Sequence, residues 1–334
     1  MSNARAASAA SPASPEPPAA PDGRSAEVSG YRHSALVWHG KDDFLDRVLP
    51  FVRDAVSKGA PTLVALPQEL ADLVRGSLGA TAARAVRWED IAVGGCNPAR
   101  LLPIWLDFVQ EHRGSPMPLR ALSAPRWRGH TAAELAEWEL NELLLNVALP
   151  ADAPLWLLCP YDGALPAEAL TAANRSHPEI ADPRTPDRLI PYAGHEHCWT
   201  LVSQALPEPV GDVTELSFGS RELAAVRSLV RRAADDAGLD TRRAEQLTLA
   251  VNELAANSID HGGGTGVLRV WTEPDALLCE VEDHGVLTDL MVGRITPAPE
   301  QPRGRGLYLV NQLCDLTQVR VREVGTVARV VTWL

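Results

Sequence analysis

The strongest constraint in this sequence is an alternation, over residues 31–193, of short apolar runs with amphipathic stretches. The apolar runs lie at 34–38, 62–66, 119–123 and 155–159. Runs of this kind are typical of strands that are buried on both faces of a parallel sheet. Between them, apolar residues recur at helical spacing, for example over 42–57. This order predicts βαβ units and an α/β domain of three layers with a mostly parallel sheet.

A different order of elements is predicted at 215–334. After one strand at 215–218, two long helices at 221–237 and 241–260 follow each other. The remaining elements are predicted as strands at 267–272, 277–283, 317–324 and 327–333 and a helix at 306–314. Helices gathered on one face of a mixed, mostly antiparallel sheet predict an α+β two-layer sandwich.

Two segments are predicted to lie outside both domains. The segment 194–214 contains two prolines and a glycine within its last eight residues, which is typical of a linker. Residues 1–29 consist largely of alanine, proline and serine. Such a segment buries too little apolar surface to offset its ordering entropy, so we expect a disordered tail.

Composition restricts the classes of function. The formal net charge is −12, which is unsuited to contacts with a phosphate backbone, so we expect no direct DNA binding. No run reaches the roughly 18 apolar residues that a membrane span needs, and the first residues lack the pattern of a secretory signal. The five cysteines show no CxxC spacing. We therefore expect a cytoplasmic protein that does not insert into a membrane.

The first candidate motif lies on the helix predicted at 241–260. At about 100° per residue, Glu253, Asn257 and Asp260 share a narrow arc beside the apolar stripe of that helix. A carboxylate and a carboxamide one turn apart can face a common site. The same pattern also fits a solvated helix face, and the motif alone does not separate the two interpretations.

Two further motifs are weak when each is taken alone. Asp283 and Gly285 follow an apolar strand and can border a pocket, although both residue types are common in the turns that end strands. The run Arg303-Gly304-Arg305-Gly306-Leu307 opens the predicted helix at 306–314. Glycines there expose backbone N–H groups at the positive end of the helix dipole, which suits a phosphate group. The chain contains no GxxxxGK[ST] loop.

Taken in this order, the three motifs resemble the N, G1 and G2 boxes of the GHKL (Bergerat) ATP-binding fold. Within that group, residues 215–334 resemble the anti-sigma factor serine/threonine kinases. The resemblance implies ATP and Mg²⁺ as cofactors, with Asn257 as a magnesium ligand, Glu253 as the general base and Asp283 as the acceptor for the adenine amine. It also implies nucleotide contacts by Gly285, Arg303, Gly304, Arg305, Gly306 and Leu307.

The same resemblance implies further details of the site and two departures from the family pattern. A lid would cover the nucleotide over 286–302, and Arg303 or Arg305 would offset charge on the transferred phosphoryl group. The second glycine that often ends the G1 box is missing, because Val286 and Leu287 stand there. The domain also contains no lysine, since the chain has lysine only at positions 41 and 58.

The activity implied by the resemblance is phosphorylation of a STAS-type anti-sigma factor antagonist, which controls the availability of a sigma factor. The family also implies a homodimer. One alternative is a non-catalytic nucleotide-binding module that sequesters a partner. Another is a sensor histidine kinase, which needs an acceptor histidine on a two-helix hairpin where this chain has its proline-rich segment. A chaperone-like ATP-driven machine would need additional domains.

The first domain resembles the MEDS sensory domain. The resemblance is carried by Tyr31-Arg-His33, by Leu158-Cys-Pro-Tyr-Asp162 and by Ser176-His177-Pro178. It implies a RecA-like architecture over 31–193 and the sensing of an unknown signal, without catalysis. The tryptophans concentrated in this part of the chain are interpreted as core residues.

Metal binding is a separate hypothesis for the first part of the chain. His195, His197 and Cys198 are metal-ligand residue types close together. On a strand, only His195 and His197 would point to the same face. The sequence leaves a site there open, and it favours a capping or core role for His33.

Overall fold

A computed structural model describes residues 30–91, 97–124, 131–181, 192–298 and 304–334. The strands of the first domain are β1 (Arg32–Trp38), β2 (Thr62–Leu66), β3 (Val86–Asp90), β4 (Leu119–Ser123), β5 (Leu155–Asp162) and β6 (Glu179–Ile180). Its helices are α1 (Gly40–Ser57), α2 (Gln68–Leu78), α3 (Ala80–Arg84), α4 (Leu101–Glu111), α5 (Ala132–Ala148) and α6 (Ala167–Ser176), with a 3₁₀ turn at Pro98–Arg100. Helix α7 (Glu196–Val202) follows.

The first domain is the three-layer α/β structure that the alternation predicts. Its strands have the order β3-β2-β4-β5-β1-β6, and each neighbouring pair is parallel. One side of the sheet packs against α1 through Phe44 and Val52. The other side packs against α4 and α5 through buried side chains that include Trp105 and Trp138. These tryptophans are core residues, as the sequence indicated.

The second domain is the predicted α+β sandwich. Its strands are β7 (Thr214–Phe218), β8 (Gly266–Glu273), β9 (Ala276–Asp283), β10 (Leu316–Val321) and β11 (Thr326–Trp333). Its helices are α8 (Leu223–Asp236), α9 (Thr241–His261) and α10 (Gly306–Leu313). The strand order is β10-β11-β9-β8-β7, and every neighbouring pair is antiparallel. The sheet is therefore wholly antiparallel rather than mixed, because short connections join β8 to β9 and β10 to β11.

One face of this sheet carries the three helices and the other carries aromatic residues. The apolar stripe of α9, which includes Leu247, Val251 and Leu254, is buried against the sheet. Burial of each such side chain is worth about 1.5–3 kcal/mol relative to exposure. On the opposite face, Trp271 and Trp333 form a cluster against which Ala133 of α5 packs. The sandwich thus positions α9 beside the last residues of β9 and the first residues of β11.

Helix α5 lies between the two domains. Thr131 and Glu134 form a capping box at its start, and ten of its residues are buried, four of them glutamates. Glu137 forms ion pairs with Arg320 of β10, at 2.6 Å, and with Arg294, at 3.6 Å. Arg100, just before α4, also connects the two domains. It donates hydrogen bonds from Nε to the carbonyl oxygen of Asn311 and from Nη2 to that of Cys314, each at 2.7 Å.

The segment expected to be a linker contains an element of secondary structure. Helix α7 occupies its first part, and Cys198, Leu201 and Val202 are buried against Leu140 and Leu144 of α5. Residues 203–213 then lead to β7 without helix or strand. No helix within the described parts of the chain combines the length and the apolar content that crossing a membrane requires.

Candidate functional site

A cavity of about 230 Å³ lies between α9, the end of β9 and the start of α10. Six of the sequence-predicted residues line it, namely Asn257, Asp283, Gly285, Gly304, Gly306 and Leu307. The other lining residues are Leu254, Ser258, His261, Gly262, Val281, Val286, Leu287, Val292, Val319, Thr326 and Ala328. Three motifs that are separate in the sequence therefore face one concave space.

Asp283 occupies one end of the cavity and is held in a single orientation. Its Oδ2 accepts a hydrogen bond from Ser258 Oγ at 2.6 Å, and its Oδ1 accepts one from the backbone N–H of Gly285 at 2.7 Å. Each carboxylate oxygen has a further lone pair. Beside the apolar side chains of Val281 and Ala328, this carboxylate can select a ligand that offers an N–H donor.

Glycines allow the backbone to approach Asp283 closely. A Cβ placed on Gly285 would lie 2.9 Å from Asp283 Oδ1 and 3.1 Å from the carbonyl oxygen of His261. A Cβ on Gly262 would overlap the Asp283 carboxylate directly. Both positions consequently require glycine, because the Asp283 carboxylate occupies the space that a side chain would need.

Glu253 and Asn257 meet at the start of α10. A Cβ placed on Gly306 would lie 3.0 Å from Glu253 Oε2 and 3.2 Å from each terminal atom of the Asn257 amide. Both polar groups therefore lie next to the Gly306 Cα and the first N–H groups of α10. Those N–H groups and the helix dipole favour an anion there, and the amide oxygen suits a hard cation such as Mg²⁺. Gly304, with φ at +84°, adopts the left-handed conformation that glycine supplies without strain.

Of the two arginines of the third motif, the structure describes Arg305. Arg305 does not line the cavity, and its Nη2 donates to the carbonyl oxygen of Ala298 at 3.2 Å. Arg303 lies outside the described residues. Asp260, which the helical arc grouped with Glu253, is exposed and does not line the cavity. That Arg303 or Arg305 offsets the charge on a transferred phosphoryl group stays a prediction.

The segment after β9 covers part of the cavity, at the position expected for a lid. Its described part runs to residue 298, and Val286, Leu287 and Val292 line the space. Asn311 Nδ2 of α10 donates to Gly293 O at 2.8 Å. Arg294 is buried beside Glu137 of α5, and burial lowers the pKa of its guanidinium. The cover is thereby attached both to α10 and to the first domain.

Sequence reasoning missed three polar residues that line the cavity, namely Ser258, His261 and Thr326. Ser258 holds the Asp283 carboxylate, and Thr326 Oγ1 donates to the carbonyl oxygen of Gly285 at 2.8 Å. Ser258 directly follows Asn257 on α9, so the sequence could have indicated that it lies near the same site. Nothing in the sequence indicated Thr326. It reaches the cavity because β11 pairs with β9, which puts Thr326 opposite Asp283.

The three residues considered for metal binding near position 195 do not form a site. They lie at the start of helix α7, not on a strand, so the expected alternation does not apply. His195 is exposed, whereas Nε2 of His197 lies 3.3 Å from Glu139 Oε1. Cys198 is buried among leucines, and this burial raises its pKa to about 11.

The geometry is consistent with the similarity of each domain to a known family. Residues 32–178 match the family model MEDS, the MEthanogen/methylotroph, DcmR Sensory domain. Residues 217–332 match the model of the histidine kinase-like ATPase domain. A search of curated proteins finds no match. The chain therefore joins an N-terminal MEDS domain to a C-terminal GHKL-like ATPase domain of the kinase type, and the cavity around Asp283 lies in the latter.

Proposed function

We propose that this protein is an anti-sigma regulator with ATP-dependent serine/threonine kinase activity. Its substrate is a STAS-type anti-sigma factor antagonist, and its action controls the availability of a sigma factor. The observation that carries the proposal is the convergence of Glu253 and Asn257 on Gly306 at the start of α10, where Asn257 and Gly306 line the same cavity as Asp283. The resemblance to anti-sigma kinases supports the choice of partners, a homodimer and a cytoplasmic location.

The residues of the cavity fit a magnesium nucleotide. Asp283 accepts the adenine amine, and the glycine-flanked start of α10 binds the phosphates through backbone N–H groups. Asn257 contributes an oxygen ligand to Mg²⁺. Bound ATP supplies the phosphoryl group for transfer. Positioning and electrostatic stabilisation are the main contributions of a protein to such a transfer.

Glu253 is proposed as the general base. Its carboxylate lies beside Gly306 and Asn257, and the residue is only partly buried, so the hydroxyl of a protein substrate can reach it. Removal of the hydroxyl proton as the oxygen attacks contributes about 10²–10⁴-fold to the rate. Asp260, two turns further along α9, is exposed and has no part in this role.

The first domain is proposed to receive the signal and pass it to the cover of the cavity. Glu137 of α5 is the connection, because it contacts Arg294 in the cover and Arg320 in β10. A change in the position of α5 alters the environment of both arginines.

A non-catalytic, partner-sequestering function is the second candidate, and one observation favours it. Among the described residues that line the cavity there is no arginine or lysine. A kinase normally places a cation on the transferred phosphoryl group. A sensor histidine kinase is not supported, since the described residues 192–213 contain one short helix, α7, in place of a two-helix hairpin.

The experiment compares Glu253→Gln with wild type. ATP affinity is measured by calorimetry, and transfer is measured from labelled ATP to a purified STAS-type antagonist. We expect affinity within about twofold of wild type and transfer reduced by about 10²–10⁴-fold. Glu245→Gln, on an exposed position of the same helix, is the matched control and keeps full transfer.

Two results would count against the proposal. Full transfer by Glu253→Gln would remove the assignment of the base. Wild-type protein that binds ATP and the antagonist but transfers no phosphate would support the sequestering function.

A further inference from the structure

Four buried side chains from four different elements meet inside the first domain. They are His33 of β1, Glu142 of α5, Cys159 of β5 and His177, which directly follows α6. Their exposed fractions are 1%, 3%, 0% and 2%. Among the described residues this is the one group of histidine, cysteine and acidic side chains with the spacing of a metal site.

The distances between the potential ligand atoms correspond to coordination of one ion. Glu142 Oε2 lies 3.0 Å from His33 Nε2 and 3.6 Å from His177 Nε2. Cys159 Sγ lies 3.4 Å from His33 Nε2 and 3.9 Å from Glu142 Oε2. Zinc bonds of about 2.0–2.3 Å place tetrahedral ligand atoms roughly 3.3–3.6 Å apart. The four separations are near these values, and all the ligand atoms lie within 4.8 Å of one another.

Hydrogen bonds outside the cluster orient the His33 ring. Asn146 Nδ2 donates to the carbonyl oxygens of Glu142 and Ser176, at 3.2 and 2.9 Å, which leaves Asn146 Oδ1 as an acceptor. His33 Nδ1 lies 2.9 Å from that oxygen and donates to it. The lone pair of His33 is consequently on Nε2, which faces Glu142 and Cys159.

His177 is oriented in the same way. Its Nδ1 donates to the carbonyl oxygen of Ala173 at 2.7 Å, so its Nε2 also carries the lone pair and faces Glu142. Metal-binding histidines typically donate their other ring N–H to a carbonyl or carboxylate oxygen in this manner. Both rings of the cluster thus have the tautomer that a metal ion requires.

Several electron-pair donors therefore point into one space that excludes water. Two imidazole nitrogens, a carboxylate oxygen and a sulfur repel one another unless a cation lies among them. A proton on one histidine bridges a single pair of atoms, whereas a metal ion bonds all four. Imidazole and thiolate ligands favour zinc over magnesium or calcium.

We propose that His33, Glu142, Cys159 and His177 bind one divalent transition-metal ion of the zinc class, with four protein ligands in a closed site. The site links two adjacent strands, β1 and β5, to α5 and to the residue that follows α6. Glu142 is on the same helix as Glu137, which contacts the second domain. This inference is independent of the proposed kinase activity.

The test uses the full chain, purified without a histidine tag, treated with chelator and then titrated with Zn²⁺ or Co²⁺. We expect one metal ion per chain by elemental analysis. The Co²⁺ form should show the intense visible bands of tetrahedral cobalt and a thiolate-to-cobalt charge-transfer band. Cys159→Ser should lose the charge-transfer band, and His177→Gln should weaken zinc affinity by about 100-fold or more.

Two matched controls lie outside the cluster. Cys198→Ser removes another buried thiol, and His195→Gln removes an exposed histidine, so both should keep the wild-type spectrum and stoichiometry. Zinc binding unchanged in both Cys159→Ser and His177→Gln would place the ion elsewhere and overturn the assignment. If Cys159→Ser does not fold, the zinc stoichiometry and the cobalt spectrum of the wild-type protein test the proposal. Failure of wild type to bind zinc stoichiometrically would show that the cluster is a proton-bearing ion pair.

Discussion

The two domains build their polar sites in opposite ways. In the C-terminal domain, the polar groups of the cavity come from short motifs at a helix, a strand end and a helix start. In the N-terminal domain, the buried cluster is assembled from positions 33, 142, 159 and 177. Three of the four cluster residues, His33, Cys159 and His177, stand in short motifs of the sequence, but nothing in the sequence brings these motifs to Glu142. The cluster forms only after parallel strands and crossover helices have packed.

The largest effect is expected where the two domains meet, at Glu137. Glu137→Ala leaves the guanidinium groups of Arg294 and Arg320 without their shared carboxylate in a buried position. Loss of one partner of a buried ion pair costs about 3–5 kcal/mol. Denaturant unfolding should show this loss, and ATP affinity should change because Arg294 lies in the cover of the cavity.

The matched control for Glu137 is an ion pair on the surface. Arg87 and Glu111 form such a pair at 2.7 Å with both side chains substantially exposed. Glu111→Ala should cost less than about 1 kcal/mol. If Glu137→Ala and Glu111→Ala lowered the free energy of unfolding equally, the ion pairs of Glu137 would not stabilise the protein more than a surface pair does.

Asp283→Ala should have the next largest effect, and it should be confined to the C-terminal domain. The variant loses the acceptor for a ligand N–H and leaves Ser258 Oγ and the Gly285 N–H without their shared partner. Hydrogen bonds to a charged group are worth about 1.5–3 kcal/mol, which corresponds to roughly 10–100-fold weaker ATP binding. Calorimetry measures this change. Asp275→Ala, on the exposed turn between β8 and β9, should bind ATP normally, and unchanged affinity in Asp283→Ala would refute the alignment of the motif.

A smaller effect is expected from Gly285→Ala. The added methyl group would lie 2.9 Å from Asp283 Oδ1, so the carboxylate or the backbone has to shift. Overpacking of this kind costs about 1–3 kcal/mol, and we expect ATP affinity to fall about tenfold. Gly76→Ala in α2 is the control, because its methyl group meets no atom within 4 Å. That variant should gain about 0.5–1 kcal/mol of stability, with normal ATP binding.

The last effect appears only at alkaline pH and concerns Cys279, which is fully buried in the core of the C-terminal domain. Burial raises the pKa of its thiol to about 12. In the unfolded chain the thiol releases its proton near pH 8.5, so its contribution to stability is present below that pH and is lost as pH rises toward 12. Relative to Cys279→Ala, wild type should lose about 1.4 kcal/mol of unfolding free energy per pH unit between pH 9 and 11. If the unfolding free energies of wild type and Cys279→Ala changed in parallel with pH, the raised pKa of the Cys279 thiol would be contradicted.

The secondary structure was largely readable from the sequence. The helix at 241–260 was predicted from its apolar spacing, and the structure has α9 at Thr241–His261. The expected linker was the exception. Its proline-rich part has no helix or strand, but helix α7 precedes that part, and its Cys198, Leu201 and Val202 are buried against the apolar surface of α5. Tertiary packing stabilises such a short helix, and local sequence does not reveal it.

Part of the candidate site was also predictable. Asn257, Asp283 and Gly306 line one cavity, an arrangement that the resemblance to the GHKL fold implied and that periodicity along one helix or strand does not give. Thr326 was not predictable, since its place depends on the register between β11 and β9. The contact of Arg305 with Ala298 likewise depends on the path of the chain after β9.

The sequence by itself determined the two element orders, the apolar faces and the three motifs of the ATPase domain, because each depends on spacing along one helix or strand. Tertiary structure alone decided that α5 lies between the domains and that His33, Glu142, Cys159 and His177 meet. The physical reason is that strand order and helix packing set distances between residues far apart in the chain. These distances follow from burying all apolar faces at once, and no single segment contains that information.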